Sequence, residues 1–508
     1  MNWLHTWGGV VLGALLFAIF WMGTLSVFDR EIDRWMMPPT RLAAADSGPL
    51  DPLARDLRSL TEGAQQWSVM LPSEREPAMR IGYRKPGGDF QSRHADPSTG
   101  RLLPDAGTWA GTRFIFPFHF SLHIRAWSIG YWLVGIAGMA MLALCVSGVI
   151  IHKQIFVDFF TFRADRKPRR LVLDLHNVMG VLGFPFHVVI TLSGLIIFFS
   201  IYFPWPQQAT YGSEQRVFSR EAFGFYNRPK AGEPAPIVSL DGLVARAAAE
   251  WQGGRPYYVR VWHPGDRNSY VEVRRSIADD VTMNLDVMYF DGPTGEVLHK
   301  GSIKPVMAVQ RFISGIHFIQ FDHWSLRWIY FGLGLAGCVM IATGYLFWLE
   351  SRRRKHEKLG LKGVAIVDGL TIGSVTGIIA ATLAFFVVNR LMPMGFSLFG
   401  IERYALEIWV FHLAWLATFA HAWLRPSRAW TEQCVAICAL AVAAVILNWL
   451  TTGDHLASSL VQRHLWPIAG MDLLLLATAG IAAIVASRLQ RRATGKPAGQ
   501  PAMGAARR

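Results

Sequence analysis

Charge is scarce in this chain: Asp, Glu, Lys and Arg make up 17% of its 508 residues, against about a quarter in soluble proteins. That argues against the two or three water-soluble domains that length alone would suggest. Cysteine is rarer still. The four present (Cys145, Cys338, Cys434, Cys438) all fall inside apolar stretches. None forms the Cys-x-x-Cys-His of covalent c-type haem attachment, and no cluster supports an iron–sulfur site, so small apolar filler is their expected role. Nor does a Gly-x-Gly-x-x-Gly fingerprint follow a strand on the cytoplasmic side, which leaves no dinucleotide domain there.

Apolar residues supply 52% of the chain, and they come in blocks. Eight are long enough to cross about 30 Å of hydrocarbon as helices: residues 4–28, 130–151, 177–203, 324–349, 370–391, 406–424, 433–450 and 466–486. Many of the 20 Trp stand near the ends of these blocks, as indole rings do in the headgroup layer. The net charge of +14 would suit nucleic acid, but its distribution speaks for a membrane. Lys153, Arg163, Arg166, Lys167, Arg169 and Arg170 share one connection. Arg352, Arg353, Arg354, Lys355, Lys358 and Lys362 share another. Arg425, Arg428 and the tail residues Arg488, Arg491, Arg492 and Lys496 fall on the same side if the helices alternate. The positive-inside pattern predicts a multi-pass protein of the bacterial inner membrane, both termini cytoplasmic, with residues 29–116 and 204–323 outside; nucleic acid is excluded as a partner. The first block lacks a basic n-region and no small-x-small site directly follows it, so a retained helix is expected rather than a cleaved signal.

A repeat underlies the first part of the chain. Leu4-His5-Thr6-Trp7-Gly8 runs on to Gly23, and Leu175-His176-Asn177-Val178-Met179-Gly180 runs on to Gly194, with His-to-Gly spacing of 18 residues in both. Asp96-Pro97-Ser98-Thr99-Gly100 matches Asp291-Gly292-Pro293-Thr294-Gly295, and Arg113-Phe114…His119-Phe120 matches Arg311-Phe312…His317-Phe318. The unit is helix, external α/β module, helix, occurring twice. In the second module residues 239–251 read as a helix, and 257–262, 269–274 and 287–290 as strands by their alternation. The expected fold is mostly α: a polytopic bundle of about eight transmembrane helices with two external α+β modules. The order is helix 1–28, module 29–116, helices 117–203, module 204–323, helix 324–355, a further four-helix block 370–486 without the repeat, and a basic cytoplasmic tail 487–508.

Histidines stand at two depths of the first four helices. His5, His152 and His176 lie near the cytoplasmic face; His119, His123, His317 and His323 lie near the outer face, and His187 sits deeper in the outer half of helix three. A lone histidine at a helix end is commonly an interfacial polar group, but recurrence at matched depths in both copies points to axial ligands. Bis-His haem needs two imidazoles from facing helices, so the pattern predicts two stacked b-type haems. His176 and His187, 11 residues apart, fall on one face of a straight helix with about 16 Å of rise between them. Repeat symmetry matches His5 with His176, and His119 or His123 with His317; His152 and His187 compete for the same roles. His412 and His421 face opposite sides of one helix. His356 is expected to be solvated, and His94, His263 and His299 to be surface groups.

At these residues the sequence resembles the PepSY-associated transmembrane family, which includes bacterial inner-membrane ferrisiderophore reductases. The resemblance is carried over residues 1–355 by Leu4-His5-Thr6-Trp7, by Ser121-Leu122-His123 before Gly130-Tyr131-Trp132, by Asp174-Leu175-His176-Asn177, and by Ile316-His317-Phe318 leading to Arg327-Trp328. It favours His123 over His119. It implies two haem b groups that pass electrons across the membrane and reduce ferric siderophore in the periplasm, releasing iron. The donor would be a cytoplasmic protein, a quinol or a diffusing reductant. Competing readings are a cytochrome b subunit for another periplasmic acceptor, and a non-enzymatic PepSY-bearing binding or sensor protein.

Overall fold

The computed structural model describes residues 1–44, 48–88, 90–152, 168–301 and 304–494. Lys153, Arg163, Arg166, Lys167 and Lys496 of the basic segments lie outside the described residues. In chain order the principal elements of the first half are helices α1 (Asn2–Ser26), α2 (Asp29–Met36) and α3 (Leu50–Asp56), strands β1 (Gln66–Met70), β2 (Met79–Arg84) and β3 (Phe90–Ala95), then α4 (Phe116–Ser121) and α5 (Ile129–Ile151). The second repeat supplies α6 (Pro168–Leu182), α7 (Phe184–Ile197), α8 (Leu240–Glu250), strands β4 (Pro256–Trp262), β5 (Tyr270–Arg275), β6 (Val287–Asp291) and β7 (Val297–Lys300), then α9 (Pro305–Phe318) and α10 (Trp324–Lys358). The last four long helices are α11 (Gly363–Leu391), α12 (Arg403–Leu424), α13 (Ala429–Thr452) and α14 (Trp466–Ala493).

Among the described residues seven helices are long and apolar enough to cross a bilayer, and the bent pair α6–α7, taken as one span, makes an eighth. This is a multi-pass membrane protein. The expected straight third helix is corrected. Its two pieces meet at 62°, because Pro185 opens α7 and cannot donate into the preceding turn. The basic run Arg352–Lys355 is also no loop: α10 carries it on its last turns, as far as Lys358.

The two modules share one antiparallel sheet of seven strands in the order β3-β2-β1-β4-β5-β6-β7. The join is β1 with β4, pairing Val69 with Val259 and Trp67 with Val261. One face is apolar and covered by α3 and α8, burying Leu53, Val69, Ile81, Leu243, Val261, Val273 and Phe290. The covering helices cap each other. The Asp51 carboxylate accepts from Leu240 N (2.7 Å) and Ser239 Oγ (2.6 Å) at the start of α8, and Asp241 accepts from Leu50 N (2.8 Å) and Asp51 N (3.1 Å) at the start of α3. Each carboxylate thus meets the free N–H groups and positive dipole end of the other repeat's helix. The two Asp-x-x-Thr-Gly turns are also alike, with Gly100 and Gly295 at φ of +70° and +74°.

The last four helices are no loose appendage. α11 packs on α1 and α10, and α2 is wedged into the block, with Trp35 and Met36 fully buried beside Ile378, Phe386 and Leu475. Buried polar groups there satisfy one another, as they must out of water. Trp35 Nε1 donates to Asp472 (2.8 Å), and Arg41 donates to Asn448 (2.8 Å) and Asp454 (2.6 Å). Thr108 meets Glu407, and Arg390 donates to the Met36 carbonyl (2.5 Å).

Candidate functional site

Four imidazoles gather into two pairs inside the bundle of α1, α5, α6–α7 and α10. His5 of α1 faces His176 of α6, with ring centres 6.3 Å apart and planes at 84°. Nearer the sheet, His119 of α4 faces His317 of α9, with ring centres 6.0 Å apart and planes at 28°. Each pair takes one ring from each repeat.

The way each ring is held also repeats. His176 Nδ1–H donates to the Met340 carbonyl (2.8 Å), His5 Nδ1–H to the Leu144 carbonyl (3.2 Å), and His119 Nδ1–H to the Ile19 carbonyl (2.8 Å). His317 Nδ1–H donates to Ser193 Oγ (3.0 Å), whose own proton goes to the Ile190 carbonyl (3.0 Å). In all four rings Nδ1 carries the proton, which leaves Nε2 with a free lone pair. Fixing the tautomer by a hydrogen bond to the other nitrogen is how proteins orient metal-binding histidines.

Each ring is seated on a glycine of a neighbouring helix. A Cβ on Gly23 would lie 2.7 Å from His119, and one on Gly194 2.8 Å from His317; on Gly148 and Gly344 it would lie 3.3 and 3.2 Å from His5 and His176. The 18-residue His–Gly spacing of the sequence acquires a meaning here. Each of α1 and α6–α7 offers a histidine at one end and the seat for a partner's histidine at the other.

A cavity of about 520 Å³ opens around the far pair, lined by His5, His176, His152, Arg170, Arg352 and His187 among others. A smaller one, about 120 Å³, adjoins His119 and His317 and is walled by Phe20, Phe120, Phe198 and Tyr330. Leu16 and Met141 line both. Among the described residues no three His, Cys, Asp or Glu side chains converge, so the arrangement offers paired ligands rather than a polydentate metal cage.

The remaining predicted residues are placed apart from these pairs. His119, not the favoured His123, is the ring placed against His317: Leu122 and His123 adopt φ of +51° and +56°, and this reversal turns His123 elsewhere. Its Nε2 bonds the Phe114 carbonyl (2.8 Å) and its ring stacks on Phe114 at 5.0 Å, among residues that touch α11 and α12. His187 is fully buried with its ring 5.7 Å from Phe20, against Gly337 and the Leu333 carbonyl. Despite the bend after Leu182, His176 and His187 still share a face: both turn toward α10 and line the larger cavity. His152 caps α5 and lines the larger cavity. His323 only precedes α10, and His421 pairs with Glu432 (2.8 Å). Sequence reading missed Ser193, whose place immediately before Gly194 on α7 was the available signal.

Comparison with known proteins agrees with this layout. The profile of a family described as "PepSY-associated TM region" matches residues 2–351, which takes in both repeats and stops short of the four additional helices. The chain is also 28% identical over 374 residues to the uncharacterized protein PA4219 of Pseudomonas aeruginosa, an alignment spanning 66% of this chain and 89% of that one.

Proposed function

The chain belongs to the PepSY-associated TM family, and from that premise we propose that it is a b-type haem protein of the inner membrane that moves electrons to the sheet side and there reduces ferric siderophore. The observation that carries this reading is the doubled imidazole pair. A metal–imidazole bond of about 2 Å, plus roughly 1 Å from nitrogen to ring centre, puts two axial rings about 6 Å apart. The pairs stand at 6.3 and 6.0 Å, each ring with Nε2 free. His5 with His176, and His119 with His317, would hold the two groups, and bound haem would supply reversible one-electron iron chemistry.

The two positions differ in fit. The far cavity is large and reaches Arg170 and Arg352, which suit propionates. The sheet-side space is smaller than an apolar cavity of about 150 Å³ that holds benzene, so a macrocycle there displaces side chains such as Phe120 and Phe198. In this reading the sheet lies in the periplasm and both termini in the cytoplasm, with Arg352–Lys355 on the cytoplasmic side. The protein's own residues then fix the redox groups at two depths, exclude water with Phe20, Leu16 and Met141 between them, and leave the substrate to meet the sheet-side pair. Iron(III) held by hard oxygen donors is released once reduced, because iron(II) binds such donors far more weakly. The donor is a cytoplasmic protein, a quinol or a diffusing reductant.

A reduced-minus-oxidised spectrum of the purified protein tests the reading: a b-type α band is expected, and its absence sinks it. Dithionite-reduced protein should reoxidise within the mixing time of a saturating ferric siderophore, catecholate or hydroxamate. A band without reoxidation would favour the second reading, a cytochrome b for another acceptor.

A further inference from the structure

The sheet face turned away from α3 and α8 looks toward α2 and α9. Across its four central strands one register row reads Arg80, Met70, Tyr258, Arg274, each the cross-strand neighbour of the next. At about 4.8 Å per strand the two arginines stand roughly 14 Å apart. The adjacent row carries Arg260 opposite Ser68 and Glu272. Side chains of Arg80, Arg260 and Arg274 keep 22%, 24% and 29% of their surface exposed, so solvent reaches this roof.

From below, the repeat supplies two more arginines. Arg113 precedes His119 by six residues and Arg311 precedes His317 by six, about 9 Å of helix. Arg113 lies over the Trp109 ring (5.0 Å) and Arg311 over the Phe223 ring (4.9 Å). Each opposes a roof arginine: the Arg113 guanidinium is held below its usual range by burial and by Arg80, and that of Arg311 by burial and by Arg274.

The ion pairs here fall on the roof arginines. Glu76 pairs with Arg80 (3.0 Å), and Glu272 with Arg274 (2.5 Å) and Arg260 (3.7 Å). Among the described residues no ion pair includes Arg113 or Arg311. Asp33 also faces Arg80 and Arg113, but burial lifts its carboxyl to about 7 while it accepts from Gly111 N, Thr112 N and Thr112 Oγ. Five arginines thus share Glu76 and Glu272 as ion-pair partners, with Asp33 and Asp105 farther off beside Arg113, and roof and floor oppose like charges. Such an arrangement favours an anion between roof and floor.

We propose that this arginine cluster beside the sheet-side histidine pair is where the substrate docks, and that it selects ferric chelates of net negative charge over uncharged ones. The inference rests on the reductase reading. It names the charge class of that substrate.

Redox-inert gallium(III) separates docking from electron transfer. The full-length protein in nanodiscs is titrated by calorimetry with the trianionic gallium complex of a hexadentate tris-catecholate, and with the uncharged gallium complex of a hexadentate tris-hydroxamate. At low salt the trianion should bind at least about tenfold tighter, and the advantage should shrink as salt screens the contact. The double variant R113Q/R311Q should lose about tenfold or more for the trianion only, and R113K/R311K should recover most of it. Equal affinity for the two complexes, or a preference that the double Gln variant leaves in place while its haem spectrum stays native, overturns the proposal. A protein that carries haem but shows no anion preference refutes docking alone. One that binds the trianion but carries no haem refutes the reductase reading alone.

Discussion

The two repeats answer the same structural question under different constraints. Both present a histidine near one end of a spanning helix, a glycine seat 18 residues later, a turn of the Asp-x-x-Thr-Gly form, and a carboxylate that caps the other's covering helix. They part company outside that shared frame. In the first repeat the approach to His119 is a π-helical turn (Ala110–Ile115), pinned by Asp33 and by contacts of its neighbours with α11 and α12. In the second, the approach to His317 is one regular helix, α9, whose Val306, Val309 and Phe312 stay exposed. The first repeat also carries the buried pair Arg75–Glu31 (2.8 and 2.7 Å) and the helix α2 wedged into the last four helices. The comparison teaches that the ring spacing and the glycine seats recur between the copies while the ring angles and the surfaces around them have diverged.

The sharpest way to break this comparison is to remove one ring at a time. His176→Ala and His317→Ala should each cut the haem-to-protein ratio by about half, and His119→Ala should match His317→Ala, whereas His123→Ala should leave the ratio unchanged. An effect at His123 equal to that at His119 would undo the pairing drawn above.

A smaller effect is expected where the repeats differ. Arg75→Ala leaves Glu31 buried without its cation, at a cost of about 3–5 kcal/mol, and should lower the thermal midpoint markedly. Among the described residues the second repeat has no ion pair with both partners so deeply buried. If the midpoint hardly moves, the ion pair is not what holds α2 to the first module.

Next come the glycine seats. Gly23→Ala and Gly194→Ala each push a methyl to within 3 Å of an imidazole, an overpacking that costs about 1–3 kcal/mol. Both should shift the electron-spin-resonance signal of the same haem, the sheet-side one. Signals moving at two different haems would contradict the shared pair. The mildest test is the reciprocal cap: Asp51→Ala and Asp241→Ala should each cost about 1 kcal/mol, equally within error, by melting temperature. A clear inequality would show that the pseudo-twofold relation fails at the sheet.

Much of this was legible in the sequence, and what was not has identifiable causes. Spans follow from uninterrupted apolar runs, so all eight are readable. The bend inside the third is not, because the run continues through Gly183 and Pro185 without a polar break. Strands β4, β5 and β6 announce themselves by alternation. Their union with β1 depends on pairing across about 190 residues, which no local pattern encodes. His5, His176 and His317 stand out by repeat. His119 and His123 lie four residues apart, and only the left-handed turn at Leu122 and His123 separates their directions. Arg113 and Arg311 were visible as a matched spacing, but their meaning depends on a roof that the sequence could not show.

The β1–β4 pairing also sets an order of assembly. When the first module emerges on the sheet side, β1 has only β2 beside it, and its other edge displays unpaired N–H and C=O groups. The strand that closes it lies beyond α5 and the bent α6–α7 span. The helix that Asp51 caps is not yet made, and neither is Asp241, which must cap α3. Contacts of such separation are slow to form. The first half of the protein therefore waits, half-built and with an open strand edge, until two further spans have been inserted and the second module arrives to complete the sheet.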